Sequence, residues 1–333
     1  MSSQYRAVVV GAGSIGERHV RCLQATGKVD VSICEPNEKV RGRVAEQYGL
    51  TCAYANIEQA TALGFDMAVI ATPAQLHVEQ ARLFAERGTH VLIEKPLSTS
   101  LTGVRELKLQ LLSSGLTAGV AFPYRAHPAL AAMRLAIHEG QFGTPLEVVT
   151  VAGQHFPTYR PAFRETYYRQ RETGGGAIQD ALPHLINAVE WLVGPTTRVV
   201  GDAGRLRLDG VEVEDTTHVL ARNGEVLANY SLNQHQPANE TTITVVCERG
   251  QARFEYDRSC WSWLAEVDGT WRVHSHDNLQ RDDIFRRQAD AFINAVAGNG
   301  QPLCSLDEGV VTLKAVMAIL RSLDTSCWES LPS

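Results

Sequence analysis

Three ionisable residues stand where proton and charge transfer could be organised: Lys95, Asp180 and His184. Lys95 follows the apolar run His90-Val91-Leu92-Ile93 in the string Glu94-Lys95-Pro96, and Pro96 restricts the backbone direction after it. An ammonium at a strand end could hydrogen-bond a hydroxyl oxygen and stabilise negative charge as an alkoxide develops. A solvated surface lysine is the plain alternative. Asp180 and His184 are four apart, just after Gly174-Gly175-Gly176 and near the start of a helical pattern that continues to Leu192, so both project from one face. The glycine run is expected to leave that end sterically open. A carboxylate near a helix N-terminus is electrostatically favoured. An imidazole, with an ordinary pKa of ~6.5, can exchange a proton near neutrality. An adjacent carboxylate would orient it and favour its charged form. Spacing alone fits equally well an aspartate that only supports the helix and an unrelated histidine.

The elements that must position these groups begin at residues 5–35. The apolar run Ala7-Val8-Val9-Val10 suits a buried parallel strand and leads straight into Gly11-Ala12-Gly13-Ser14-Ile15-Gly16. A helix-compatible stretch runs from about Ile15 to Ala25, and a second apolar strand, Val29 to Cys34, ends on Glu35. This is the order of a dinucleotide-binding βαβ unit. Gly11 permits the tight turn, Gly13 lets a pyrophosphate approach the backbone, and Gly16 lets helix and strand pack closely. Ser14 and Ile15 open the helix whose free N–H groups face the phosphates. Glu35, nineteen residues after Gly16, can accept hydrogen bonds from a ribose diol. The same carboxylate would repel a 2′-phosphate, and no basic residue follows until Lys39, so NAD is expected in preference to NADP.

Helical patterns at about 38–48, 57–63, 75–86 and 102–112 alternate with strand-like runs at 51–54, 66–70, 90–93 and 117–121. This alternation predicts a doubly wound parallel sheet, an α/β Rossmann domain over residues 1–122. Ligands of such sheets sit beyond the carboxyl ends of the strands. The glycine turn, Ala71-Thr72-Pro73 and Glu94-Lys95 all fall at such ends and are expected to converge on the cofactor.

The combination of that glycine turn, Ala71-Thr72-Pro73 with His77, and Glu94-Lys95-Pro96 resembles the Gfo/Idh/MocA family, the glucose–fructose oxidoreductase and inositol dehydrogenase group of NAD(P)-dependent enzymes. The resemblance implies that Lys95 contacts the reacting hydroxyl and the nicotinamide end of the cofactor, with a cis bond often preceding the proline. The string Gly174-Gly175-Gly176-Ala177-Ile178-Gln179-Asp180-Ala181-Leu182-Pro183-His184 is similar to the family's second motif. It implies that Asp180 and His184 face the substrate, with His184 as general base. Pro183 is atypical of a helix interior and leaves open where the helix starts.

Residues 123–333 change periodicity. A helix at about 128–139 is followed by strand-like runs at 146–151, 198–204, 213–221, 226–232, 241–247, 251–256, 263–267 and 271–274, and by helices at about 283–296 and 306–323. Strands without intervening helices predict a mostly antiparallel sheet; the resemblance implies an α+β domain with a large open sheet, for substrate binding and oligomerisation. The resemblance implies one sheet face covered by helices and the other often an interface, hence a homodimer or homotetramer. Phe285, Phe292, Ile293 and Val296 are expected to be core. Tyr124 and Arg125 follow the last Rossmann strand, where family members often carry an active-site arginine. Residues 155–173 hold four arginines and three tyrosines. They suit either a surface loop or substrate binding in which Arg160, Arg164 or Arg169 holds an anionic or highly hydroxylated ligand.

The remaining composition sets limits. Of 333 residues, 44% are hydrophobic and 20% charged, with a formal net charge of −6, which gives no footing for nucleic acid or an anionic membrane. No apolar run approaches the roughly 20 residues of a bilayer span, and the start MSSQYR shows no signal peptide. Seven scattered cysteines without a CxxC suit reduced thiols in the cytoplasm. No metal is expected; His274 and His276 beside Asp277 lack a third ligand. The expected activity is hydride transfer between NAD and a sugar, cyclitol or related polyol. Two other activities fit the same fold: an NAD-recycling glycosidase and a non-catalytic NAD-binding regulator.

Overall fold

A computed structural model describes residues 5–331. The chain runs β1 (Tyr5–Val10), α1 (Ser14–Ala25), β2 (Val29–Cys34), α2 (Glu38–Tyr48), β3 (Ala53–Tyr54), α3 (Ile57–Thr61), β4 (Met67–Ile70), α4 (His77–Ala85), β5 (His90–Glu94), α5 (Val104–Ser113) and β6 (Ala118–Ala121). It continues through α6 (Pro128–His138), β7 (Pro145–Gly153), α7 (Phe156–Tyr159), α8 (Leu182–Val193) and the strands β8 (Arg198–Gly204), β9 (Thr216–Asn223), β10 (Val226–Asn233), β11 (Glu240–Cys247), β12 (Gln251–Glu255), β13 (Cys260–Leu264) and β14 (Arg272–Ser275). It closes with α9 (Arg281–Val296), α10 (Leu306–Thr325) and β15 (Glu329–Ser330).

The chain divides into two compact units. The first holds residues up to Ala126 together with Gln280–Val310; the second holds His127–Leu279 and Val311–Ser333. The expected division after residue 122 lies close to the one after Ala126. What differs is the return of α9 to the first unit. Its cause is long-range chemistry that periodicity does not carry. Asp282 of α9 accepts from Arg18 Nε at 3.1 Å and Arg21 Nη2 at 2.9 Å on α1. Phe292 and Ile293, expected as core, join the core of the first unit with Val9, Leu23, Ile33, Val69 and Leu92, and Val296 packs against it. Phe285 is buried and meets His19 edge-on.

The first unit is a six-stranded sheet in the order β3-β2-β1-β4-β5-β6, with every neighbouring pair parallel. Helices start and stop where the sequence punctuates them. Asn37 caps α2 by accepting from Lys39 N and Val40 N, and Gly49 ends it in the left-handed region at φ 61°. The order reverses between β1 and β4, which opens a crevice at their carboxyl ends.

The second unit is a nine-stranded sheet in the order β14-β13-β12-β11-β7-β10-β9-β8-β15, antiparallel except for the β7–β10 pair. Its strands bury alternate residues, as along Val226–Asn233, because one face is covered by helices. Val148, Tyr230, Ile243, Val245 and Phe254 fill that face. The run expected at 263–267 is corrected to Cys260–Leu264. There Trp261 and Trp263 stack at 4.3 Å, and beyond Leu264 the chain enters a turn in which Gly269 N donates to Glu266 O. Residues 51–54 shorten to Ala53–Tyr54.

Candidate active site

In the first unit the glycine turn lies against β4. Gly11 has φ +88°, and a Cβ there would come within 2.8 Å of Ala71 O. Gly16 brings α1 onto the turn so closely that its Cβ would lie 1.8 Å from Gly11 O. Around Gly13, by contrast, a Cβ would meet nothing within 4 Å, and Gly13 and Ser14 are exposed. The N-cap of α1 is Gly13 itself, which supplies no side-chain acceptor. The helix therefore presents its first N–H groups and positive end to an open space, the geometry that suits a pyrophosphate. Ile15 packs against the core of the same unit.

Glu35, at the end of β2, is held by the turn it serves. Its Oε2 accepts from Ala12 N at 2.8 Å and its Oε1 from Asn37 N at 2.9 Å. Each oxygen retains a second lone pair for a ribose hydroxyl. Thr72, at the end of β4, donates its hydroxyl to Gln80 Oε1 at 2.6 Å; Pro73 is exposed beside it and Ala71 is buried. His77 is buried, with Nε2 facing Thr72 O at 2.7 Å and Nδ1 facing Pro96 O at 3.0 Å.

Lys95 is half-buried immediately after β5, and the Lys95–Pro96 bond is cis. Glu94 is buried: its Oε2 accepts from Lys95 N at 3.1 Å and its Oε1 meets His19 Nε2 at 2.6 Å. His19 was not expected at the site; its place nine residues into the glycine-turn segment gave the only hint. Tyr124 is half-buried in the turn Pro123–Ala126. Arg125 is 2% exposed, and its Nη1 bonds Glu308 Oε1 at 2.5 Å and Leu303 O at 3.0 Å, tying the end of β6 to the start of α10.

In the second unit Asp180 sits in a single π-turn, Ala177–Ala181, which closes with Leu182 N donating to Ala177 O. Pro183 then occupies the first turn of α8, where its missing N–H is tolerated; this resolves where the helix starts. Asp180 and His184 are both half-buried. Tyr167 OH donates to Asp180 Oδ1 at 3.0 Å, a partner the sequence did not single out, and Thr173 Oγ1 holds Tyr167 O at 2.6 Å.

The glycine run is not open as expected, because the protein fills it. A Cβ on Gly175 would lie 2.2 Å from Tyr168 O and 2.6 Å from Gln170 O; one on Gly176 would lie 2.6 Å from Glu214 Oε1. Glu214 caps the π-turn, its main-chain O accepting from Ala177 N and its Oε1 from Ile178 N, each at 3.0 Å. Residues 155–173 form short helical turns seated on an aromatic cluster of Phe156, Phe163 and Tyr168 with Leu208, Val211 and Val213. Tyr168 OH bonds Gln234 Oε1. Arg164 stacks over Phe163 and donates to Asp209 O at 2.8 Å, Arg169 pairs with Glu212, and Arg171 pairs with Glu214. Arg160 is exposed.

Asp215 organises the floor of this cluster. Burial pushes its carboxyl up, but the N–H groups of Leu208, Leu206 and Arg207 and the Thr216 hydroxyl pull it down and prevail. A depressed carboxylate stabilises the fold fully above its unfolded pKa of ~3.9, and that contribution is lost as pH falls through the folded value. Asp215→Asn should therefore cost about 1–3 kcal/mol in urea unfolding at pH 7. The gap from wild type should narrow below pH ~4; a gap that widens in acid would contradict this.

Among the described residues no group of three or more His, Cys, Asp or Glu is gathered as for a metal ion, and no helix is long and apolar enough to cross a membrane.

Residues 5–122 match the profile described as oxidoreductase family, NAD-binding Rossmann fold, and residues 130–253 match the GFO/IDH/MocA C-terminal domain. The chain is 24% identical over 333 residues to 1,5-anhydro-D-fructose reductase of Ensifer adhaerens, covering 95% of this chain and 96% of that protein. It is 27% identical over 309 residues to inositol 2-dehydrogenase of Corynebacterium glutamicum, covering 89% and 87%. A solved levoglucosan dehydrogenase, in complex with NADH and levoglucosan, superposes with a TM-score of 0.90 at 21% identity over 99% of this chain and 100% of that one, a likeness of fold. With its glycine turn, its Glu94-Lys95-Pro96 string and both halves matched, the chain belongs to the Gfo/Idh/MocA oxidoreductase family.

Proposed function

We propose that the protein transfers a hydride between NAD and a hydroxyl-bearing carbon of a sugar, cyclitol or related polyol, with Lys95 and His184 acting on one substrate oxygen. In the oxidative direction His184 takes the hydroxyl proton as general base. Lys95 stabilises the oxygen while its C–O bond gains double-bond character and the carbon gives up hydride. Asp180, already bonded by Tyr167, orients the imidazole or accepts from a neighbouring hydroxyl. Bound NAD supplies the hydride acceptor; positioning and electrostatics are the protein's share. The observation that carries this reading is that the glycine turn, Glu35 after β2 and the Lys95 turn occupy the carboxyl edge of one parallel sheet, in a family of oxidoreductases. A panel of sugars and polyols incubated with NAD and read by NADH absorbance tests it. Turnover of at least one member is expected. No turnover in either direction would contradict the reading, and release of an aglycone without net NADH would favour the glycosidase.

Glu35 sets the expected cofactor preference. Its carboxylate, fixed by Ala12 N and Asn37 N, would face a 2′-phosphate with like charge. The ratio of kcat/KM for NAD over NADP should exceed about a hundred, and Glu35→Ser should reduce it at least about tenfold. Comparable values for both cofactors in the wild type would refute the assignment.

The same reading places the protein in the cytoplasm as a homodimer or homotetramer. All seven cysteines are free, which suits a reducing compartment. Leu220 and Leu227 are 56% and 50% exposed on the sheet face opposite the helices, a surface that a second subunit would cover.

A further inference from the structure

The turn that carries Lys95 is pinned at both ends by buried side chains. On one side the Lys95 N–H donates to Glu94 Oε2 at 3.1 Å, and His19 Nε2 meets Glu94 Oε1 at 2.6 Å. On the other side Pro96 O lies 3.0 Å from His77 Nδ1. The second ring nitrogen, Nε2, lies 2.7 Å from Thr72 O, at the end of β4. Both partners of this ring are carbonyl oxygens, which only accept, while a neutral imidazole carries a single N–H. The residue is 1% exposed. In the neutral state one nitrogen lone pair would point at a carbonyl lone pair across a hydrogen-bond distance.

We propose that His77 is a positioning residue for Lys95 and acts as an imidazolium, donating from both ring nitrogens so that the turn after β4 and the turn after β5 are held as one piece. Burial, the largest of these effects, and the Lys95 ammonium hold the ring below its ordinary pKa, against the upward pull of the Thr72 and Pro96 carbonyls and of the Glu94 carboxylate, itself paired with His19. Against that push stands the geometry: only a doubly protonated ring donates to both carbonyls at once. His77 reaches the reaction only through the backbone on either side of Lys95, so its loss should affect turnover more than cofactor affinity.

The test uses full-length protein labelled with ¹⁵N-histidine and long-range ¹H–¹⁵N correlation at pH 7, with no cofactor or substrate added. The His77 ring, assigned by its disappearance in His77→Gln or His77→Asn, should show two protonated, slowly exchanging nitrogens. A ring with one N–H overturns the proposal. Kinetically, His77→Gln, whose donors share one nitrogen and cannot span both carbonyls, should lower kcat about tenfold to a hundredfold. KM for NAD should stay within about twofold and unfolding should remain cooperative. A folded variant with wild-type kcat also overturns the positioning role. If neither variant folds, a doubly protonated, exchange-protected ring must still be present in the wild-type spectrum, and its absence overturns the proposal. The spectrum does not depend on the polyol reading, so failure of that reading, seen as a wild type without turnover, is distinguishable from failure of this one.

Discussion

Replacing His184 by alanine should lower kcat by about 10²–10⁴, the range over which a positioned general base contributes. Lys95→Ala should lose a comparable factor, about 10²–10³, because charge developing on the substrate oxygen loses its counter-charge. Both variants should still bind NADH, since neither residue holds the glycine turn or Glu35. Neither substitution opens a core cavity, as both residues are half-buried, so folding should be retained. If the two groups act on one oxygen as proposed, removing both should cost less than the product of the single losses. Near-wild-type rates in either folded variant would remove that residue from the chemistry.

Gly16→Ala should abolish tight NADH binding. The added Cβ would lie 1.8 Å from Gly11 O and 2.9 Å from Gly11 C, and both are backbone atoms that no side-chain rotation can move. Either α1 withdraws from the turn or the turn opens against Ala71, where Gly11 is already in close contact. Overpacking of this kind costs about 1–3 kcal/mol or more in stability. The resulting displacement of the helix N-terminus should weaken NADH at least about tenfold by fluorescence titration. Gly13→Ala separates the two effects. A Cβ there meets no protein atom within 4 Å, so the melting temperature should hold while NADH binding falls. Equal NADH affinity in Gly13→Ala and wild type would mean that the phosphates do not approach this turn.

The parts of the fold that were legible are those governed by local rules. Val29–Cys34 and Glu38–Tyr48 stand where an apolar run and a helical pattern predict them. Parallel pairing followed from strands alternating with helices. What the sequence did not reveal depends on partners far along the chain. The return of α9 rests on Asp282 meeting Arg18 and Arg21, more than 250 positions away. The glycine run read as open space because a missing side chain is visible in a sequence and the group that fills it is not; Tyr168, Gln170 and Glu214 fill it. By type the arginines of 155–173 suit a surface loop and substrate binding alike; Arg164, Arg169 and Arg171 meet a main-chain carbonyl and two carboxylates. Tyr167 and Tyr168 are adjacent and alike in sequence. One donates to Asp180 and the other is buried in the aromatic cluster, and only the turn between them separates the roles.

The central claim is that Lys95 and His184 address the same substrate oxygen over the nicotinamide. A crystal structure of the protein with NADH and a polyol or ketose identified by the turnover panel measures it most directly. Lys95 Nζ and a ring nitrogen of His184 should both lie within about 3.2 Å of one substrate oxygen, with the carbon that bears it next to nicotinamide C4. A ternary complex in which either group lies beyond reach of that oxygen would contradict the account.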